Sequence, residues 1–237
     1  MLLYVIRHAE PIYNPDSLTE KGKRQAEALG RRLAVNGLDK IYSSPMNRAR
    51  QTAQPTCEIL GKKAEILEWT SESLAANDFG FYDPENNGRW CWSFGINPLR
   101  FKTEAHLALG DKWYEAEPFK SSNAKAGYER IAIESDAFLK SLGYERDGLK
   151  YKILNPNDQR VAVFCHYGFG MTWLSHLLGI PPVLFWSTFD INHSGITVVE
   201  FYNHSNGFTS PKVLTFSEVA HFYESGLPLE FTNRIGI

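Results

Sequence analysis

Histidine and arginine side chains directly follow two short apolar runs of this chain. Arg7 and His8 follow residues 2–6, and His166 follows residues 161–165. A short aliphatic run of this kind is typical of a strand buried on both faces of a sheet. Open α/β sheets bind ligands outside the carboxyl ends of their strands, so we expect a polar site where these runs end. Cationic side chains buried at that edge need an anionic partner, because an uncompensated buried charge is costly.

The segment 43–53 predicts a further anion-binding element. It begins at the end of a predicted strand over residues 40–43 and leads into a helix predicted over about residues 46–60, which ends at Gly61. The amino end of a helix presents unpaired N–H groups to an anion. Arg48, in the first turn, opposes the helix dipole unless an anion lies nearby. From these residues alone, a surface position for Arg48 and a core position for His166 remain open.

Together, Arg7, His8, Arg48 and His166 predict phosphoryl-transfer chemistry. Two arginines can hold a phosphoryl group through paired N–H donors. One neutral imidazole can attack phosphorus while the other donates to the transferring oxygens, so a covalent intermediate can form without a metal ion. The leaving alkoxide then needs a proton from a separate acid.

Strands and helices alternate along much of the chain. The pattern predicts further strands over residues 64–69 and 196–201, of which the second is the last clear strand. Further helices are predicted from the Thr19 N-cap to about Gly37, over about 124–142, and from Gly168 to about 179. Residues 11–16 carry loop-forming residue types. This alternation favours a three-layer α/β/α sandwich with a mostly parallel central sheet.

Residues 74–124 differ in composition from the rest of the chain. They are rich in glycine, proline, asparagine and aromatic residues, and periodicity is weak until about residue 103. Disordered segments are poor in aromatics, so we expect an insertion that packs against the sheet within one domain covering residues 1–237. Arg89, Arg100 and Lys102 could contact a second anionic group of a ligand or lie on the surface.

Composition narrows the class of protein. The net charge of −2 gives no support for broad binding to nucleic acid or to an anionic membrane, because both need a basic face. The three cysteines are scattered and form no zinc-binding pattern. No apolar run reaches the ~18 residues that a membrane-spanning helix needs. We therefore expect a cytoplasmic monomer or homodimer with no metal, no cofactor, and no nucleic-acid or membrane partner.

Several short motifs, in this order along the chain, resemble those of the histidine phosphatase superfamily (the phosphoglycerate-mutase-like clan, branch 1). Ala9 stands where the family's Arg-His-Gly signature usually has glycine. The motifs that carry the resemblance are Arg7-His8-Ala9-Glu10, Tyr13-Asn14, Leu18-Thr19-Glu20-Lys21-Gly22, Ser44-Pro45 with Arg48-Ala49 and Gln51-Thr52-Ala53, and His166-Tyr167-Gly168.

The resemblance implies a phosphoglycerate-mutase-like fold and a set of roles. His8 would be the phosphohistidine nucleophile, and Asn14 would contact the phosphate or the substrate. The insertion would cap the pocket. The remaining implied phosphate or substrate contacts are Arg7, Arg48, His166, Ser44, Tyr167 and Gly168.

The acid that the resemblance implies is a glutamate in a Leu-x-Glu motif after the third strand. Glu72 fits, with Thr70 in the leucine position, 24 residues after Arg48. A second register places Ala76 at the acid position, so that another carboxylate would have to substitute. A solvated loop position for Glu72 is a third reading. In the second register, the carboxylates that could serve as the acid are Asp78, Glu68 and Glu85.

The predicted function is a metal-independent phosphomonoesterase that acts on a small phosphorylated metabolite and releases inorganic phosphate. A phosphomutase using the same His8 is one alternative, although the mutases' Glu-Arg-His-Tyr-Gly segment is not found in the sequence. A degenerate member that binds phosphorylated ligands without turnover is another. The remaining histidines are predicted to be structural, with His193 closest to the strand-end region; they are His176, His193, His204 and His221.

Overall fold

The computed structural model describes residues 1–230 and consists of thirteen short strands and eight α-helices over that range. The strands are β1 Leu2–Arg7, β2 Pro11–Tyr13, β3 Asp16–Leu18, β4 Lys40–Ser43, β5 Glu65–Ile66, β6 Gly80–Asp83, β7 Arg89–Trp92, β8 Tyr144–Asp147, β9 Lys150–Ile153, β10 Arg160–Cys165, β11 Ile196–Glu200, β12 Phe208–Thr209 and β13 Lys212–Glu218. The helices are α1 Glu20–Ala34, α2 Asn47–Leu60, α3 Glu72–Phe79, α4 Glu104–Leu109, α5 Ala124–Ser141, α6 Tyr167–Leu178, α7 Pro182–Trp186 and α8 Ala220–Glu224.

The central sheet has the strand order β13-β11-β1-β10-β4-β5. The pairs β1–β10, β10–β4 and β4–β5 are parallel, whereas β1–β11 and β11–β13 are antiparallel. The fold is therefore α/β with a mixed sheet. The prediction of a mostly parallel sheet is confirmed in part, since three of the five strand pairs are parallel. It does not hold for the pairs of β11 with β1 and β13, and the chain passes from β11 to β13 through the short strand β12 instead of a crossover helix.

Apolar side chains on the two faces of the sheet enter separate core clusters. Leu3 and Val5 of β1 belong to the cluster that contains Trp173 of α6. Ile6 of the same strand belongs to the cluster that contains Leu29 of α1. Successive side chains of a strand point to opposite faces, so the sheet buries both of its faces against helices.

The apolar strands and capped helices that the sequence predicted are present. The predicted strand at 40–43 is β4, and the runs at 2–6 and 161–165 lie within β1 and β10. The Thr19 hydroxyl accepts a hydrogen bond from the Gly22 N–H at 2.9 Å and so caps α1. Gly61 ends α2 with a left-handed φ of 62°.

Other local predictions were wrong. The strand predicted over 64–69 is reduced to the two exposed residues of β5, followed by a 3-10 turn. The loop predicted over 11–16 contains the paired strands β2 and β3. The last strand is β13, not β11, and its partly exposed side chains at the sheet edge give a weak apolar pattern. Among residues 1–230, no helix has the length and apolar character needed to cross a membrane.

The segment 74–124 contains most of α3, the hairpin β6–β7, α4 and several 3-10 turns. The weak periodicity seen before residue 103 thus hides a helix and a hairpin, because these elements are short. Phe79, Trp113 and Phe119 of this segment are buried in the main core cluster. The predicted single domain extends to residue 237, and residues 231–237 lie outside the described part of the chain.

Candidate active site

The parallel register of β1 and β10 brings two histidines together. Arg7 lies opposite Cys165 in this pairing, so His8 and His166 are the next residues at the same edge of the sheet. Their ring centroids are 5.2 Å apart. Ser44 follows the neighbouring strand β4, and its hydroxyl lies 2.7 Å from Nε2 of His166. Three strand ends thus converge on one site, as the sequence predicted.

A single contact fixes the orientation and tautomer of His8. Its Nδ1 lies 2.7 Å from the carbonyl oxygen of Ala9, which can only accept a hydrogen bond, so Nδ1 carries the proton. Burial, followed by the charges of His166, Arg7 and Arg48, holds the pKa of His8 well below 6.5. The ring is therefore neutral at pH 7, and Nε2 keeps its lone pair.

The side chain of Arg7 is buried and fixed from several sides. Nη1 donates to the carbonyl oxygen of Ile191 at 2.7 Å, and Nη2 lies 2.9 Å from Nε2 of His193. The Tyr167 ring lies 4.9 Å from the guanidinium carbon. These contacts hold a positive charge beside His8.

Arg48 is buried, which removes its interpretation as a surface residue. It is 5% exposed, and its Nη1 donates to Oδ1 of Asp16 at 2.7 Å. The other carboxylate oxygen of Asp16 accepts from the Asn47 N–H at 2.7 Å, at the start of α2. Asp16 therefore both compensates the buried charge and caps the helix that carries it.

Nε of Arg48 and Nδ1 of His166 are buried polar atoms of this site with no hydrogen-bond partner within residues 1–230. Burial, followed by the charges of Arg48 and Arg7, holds the pKa of His166 well below 6.5, so its ring is neutral as well. Buried polar groups in native proteins are nearly always paired, so these atoms fit contacts to a polar ligand.

Glu72 is half-buried against the amino end of α6, so it is not a solvated loop residue. Its two carboxylate oxygens accept from the backbone N–H groups of Gly168 and Phe169 at 2.8 and 3.0 Å. Burial raises the pKa of Glu72, although these two hydrogen bonds and the charges of Arg48 and Arg7 oppose the shift. A carboxyl group with a raised pKa near the charges of two arginines is suited to proton transfer.

The alternative acids lie in other surroundings. Asp78 accepts from Nη2 of Arg130 at 2.7 Å, and Glu85 lies 3.1 Å from Nε of Arg100. Glu68 is exposed in a 3-10 turn. The geometry thus favours Glu72 among the carboxylates that the sequence offered.

Asn14 is exposed in the turn between β2 and β3. The aromatic ring of its neighbour Tyr13 lies 5.5 Å from the guanidinium carbon of Arg48. The structure therefore places Asn14 near the rim of the site, and its contact with a substrate stays a prediction. Within residues 1–230, no group of three or more His, Cys, Asp or Glu side chains is placed to hold a metal ion.

A family model described as histidine phosphatase superfamily (branch 1) matches residues 3–80. The matched range contains Arg7, His8, Arg48 and Glu72. Over this range the chain is similar to the histidine phosphatase superfamily. The motifs of the resemblance from β1 to α2 lie within the matched range, whereas His166-Tyr167-Gly168 lies beyond it.

Several proteins similar to this chain carry phosphatase names. Phosphoserine phosphatase 1 of Hydrogenobacter thermophilus is 37% identical over 108 residues, covering 37% of this chain and 49% of that protein. Adenosylcobalamin/alpha-ribazole phosphatase of Salmonella typhi is 24% identical over 223 residues, covering 90% and 96%. A crystal structure of phosphoserine phosphatase from Entamoeba histolytica has a TM-score of 0.61 at 25% identity, covering 93% of this chain and 98% of that one. The matches to the two Hydrogenobacter proteins span about half of their length, 49% and 45%.

Two residues of the site, Asp16 and His193, were not predicted as functional from the sequence. Asp16 was taken only as part of a loop, and nothing in the local pattern points to its contact with Arg48. His193 was predicted to be structural, yet its ring centroid lies 5.6 Å from that of His8. Its place just before a predicted strand was the signal that could have found it.

Proposed function

We propose that this protein is a metal-independent phosphomonoesterase that works through a phosphohistidine on His8. The observation that carries the proposal is the contact between Nδ1 of His8 and the Ala9 carbonyl oxygen at 2.7 Å. This contact leaves Nε2 as a neutral nucleophile in a pocket that holds the buried guanidinium groups of Arg7 and Arg48. Positive charge placed in advance stabilises the charge that spreads over the transferring oxygens.

In the first step, Nε2 of His8 forms a bond to phosphorus while the bond from phosphorus to the ester oxygen breaks. Glu72 acts as the general acid and gives its proton to the leaving alkoxide; burial raises its pKa and so favours the protonated form. Arg7, Arg48 and His166 hold the phosphoryl oxygens in both states.

In the second step, water attacks phosphorus and the bond between phosphorus and Nε2 of His8 breaks. The Glu72 carboxylate takes a proton from that water, which returns the enzyme to its starting state and releases inorganic phosphate. Dividing the hydrolysis in this way replaces one difficult displacement with two easier ones.

The substrate class in this proposal is a small phosphorylated metabolite. Phosphoserine comes first in a screen because two relatives, at 37% and 34% identity, carry phosphoserine phosphatase names. Asn14, Ser44, Tyr167 and Gly168 are assigned to the phosphate and substrate contacts. The segment 74–124 is assigned the role of a cap, since Phe94 packs against Tyr167 with ring centroids 5.8 Å apart.

The proposal also includes the domain architecture, the oligomeric state and the cellular compartment. Helices on both faces of the sheet support a three-layer α/β/α sandwich that forms one domain, acting as a monomer or a homodimer. The three free cysteines, all within the described residues, suit a reducing compartment such as the cytoplasm.

The test is hydrolysis of para-nitrophenyl phosphate in the presence of a metal chelator. Wild type is compared with His8→Ala and with His204→Ala, which alters an exposed histidine. We expect wild type and His204→Ala to be active in chelator and His8→Ala to be inactive. Activity that is lost in chelator, or that persists in His8→Ala, contradicts the proposed mechanism, and an inactive wild type favours a ligand-binding role without turnover.

A further inference from the structure

His193 lies in a segment that contacts both Arg7 and His8. The segment covers residues 191–195 and leads directly into β11. The backbone N–H of Ser194 donates to the carbonyl oxygen of His8 at 3.1 Å, and Ser194 has a left-handed φ of 60°. The backbone on either side of His193 is therefore tied to the proposed nucleophile as well as to the arginine beside it.

The ring of His193 supplies a hydrogen-bond acceptor to the side chain of Arg7. Nε2 lies 2.9 Å from Nη2, and a guanidinium group has only donors, so Nε2 must carry a lone pair. The neutral ring then holds its proton on Nδ1. Burial, with smaller effects from the charges of Arg7 and Lys21, lowers the pKa of His193 to about 3, which agrees with this tautomer.

Two acceptors define the plane of the Arg7 guanidinium. The Ile191 carbonyl oxygen accepts from Nη1 at 2.7 Å, while His193 accepts from Nη2 at 2.9 Å. The Tyr167 ring lies 4.9 Å from the guanidinium carbon. Rotation of the guanidinium would break at least one of the two hydrogen bonds. The plane matters because arginine binds phosphate through paired donors of fixed direction.

We propose that His193 is a positioning residue, which accepts a hydrogen bond from Nη2 and so keeps the Arg7 guanidinium aimed at the phosphoryl group. The role rests on the proposed function, since it assumes that the pocket holds a phosphoryl group. His193 transfers no proton in this role. His193 contributes a hydrogen-bond acceptor at the position of Nε2, and a glutamine side chain can provide an acceptor at the same position.

The test compares variants that keep or remove this acceptor. His193→Gln places an amide oxygen near the position of Nε2. His193→Ala and His193→Leu remove the acceptor, and the leucine variant fills the space of the ring in case the alanine variant does not fold. His204→Ala is the control on an exposed histidine. The affinity of each protein for inorganic phosphate is measured by titration calorimetry. The values of kcat and KM are measured with para-nitrophenyl phosphate as the substrate. The thermal midpoint of unfolding of each protein is measured separately.

We expect His193→Ala and His193→Leu to bind phosphate about tenfold more weakly than wild type, because a charge-assisted hydrogen bond is lost from an arginine that contacts the ligand. KM is expected to rise by a similar factor. His193→Gln is expected to restore most of the affinity, and His204→Ala to match wild type. This rescue separates an acceptor role from a purely structural one.

Unchanged phosphate affinity in both acceptor-free variants overturns the proposal for His193. So does a His193→Gln variant that folds with a wild-type thermal midpoint but binds phosphate as weakly as His193→Ala. A wild-type protein that binds phosphate without hydrolysing para-nitrophenyl phosphate contradicts the proposed function instead. In that case the phosphate affinities of the variants still decide the role of His193.

Discussion

Oε1 of Glu72 accepts a hydrogen bond from the backbone N–H of Gly168 at 2.8 Å. The contact joins the first residue of α3 to the first turn of α6, and α6 directly follows His166. The proposed acid is thus held against the segment that carries the second histidine. Because Gly168 makes this contact through its backbone, the position of the Glu72 carboxylate depends on how closely α3 and its neighbours approach α6.

Gly168→Ala is expected to lower kcat/KM by about 10²-fold, the effect of misplacing a catalytic group by roughly an ångström. A Cβ atom at this position would lie 2.6 Å from Cε2 of Phe94 and 3.1 Å from Oε1 of Glu72. Gly170→Ala is the matched control in the same helix, since its Cβ would lie 3.4 Å from Cδ1 of Ile191, an ordinary van der Waals contact. Steady-state assays of both variants with an alkyl phosphate, whose leaving group needs a proton from Glu72, make the comparison. Equal activities would show that the close approach at Gly168 has no functional role.

Glu72→Gln is expected to lower kcat/KM for an alkyl phosphate by about 10²- to 10⁴-fold, the usual contribution of a general acid. The loss of kcat/KM with para-nitrophenyl phosphate is expected to be much smaller, because nitrophenolate leaves without protonation and kcat/KM does not include the later step in which Glu72 acts as a base. Glu68→Gln alters an exposed carboxylate nearby and serves as the control. Equal losses on the two substrates would argue against acid catalysis by Glu72, and no loss at all would assign the acid to another carboxylate.

Stability is expected to fall as the pH falls from 7 to 5. Burial, followed by the charge of Arg32, lowers the pKa of His221 to about 4 in the folded protein, whereas an unfolded histidine titrates near ~6.5. Between these values the unfolded chain binds more protons, so the free energy of unfolding decreases as the pH drops, by at most about 1.4 kcal/mol per pH unit for one such group.

Urea unfolding at pH 7, 6 and 5 measures this dependence. His221→Gln is expected to show a shallower decrease than wild type, because glutamine does not titrate and its amide can still pair with the Ser194 hydroxyl, which lies 2.7 Å from Nε2 of His221. The difference between the two proteins isolates the histidine from carboxylates that titrate in the same range. Identical slopes would mean that His221 titrates alike in the folded and unfolded states.

The parts of the fold that the sequence predicted are those with strong local patterns. The buried runs of β1 and β10 consist almost entirely of apolar residues, and α1 and α2 begin or end with recognisable caps at Thr19 and Gly61. Since the carboxyl ends of parallel strands meet at one edge of a sheet, the sequence predicted that His8 and His166 lie at the same edge, while a core position for His166 remained open.

The missed features depend on tertiary contacts. β5 and β13 are short or partly exposed edge strands, so little burial marks them in the sequence. The contact of Asp16 with Arg48 exists because β2 and β3 turn back towards α2, and no local pattern predicts that return. His193 gains its role from Arg7, which lies far away in the sequence and approaches through the pairing of β1 with β11.

The most direct test of the mechanism is to trap the covalent intermediate. Wild type, His8→Ala and His204→Ala are mixed with a phosphomonoester carrying ³²P, quenched in alkali, digested, and analysed by mass spectrometry. We expect label on the peptide that contains His8 in wild type and in His204→Ala, and none in His8→Ala. Label on a different residue, or equal labelling of His8→Ala, would contradict nucleophilic attack by His8.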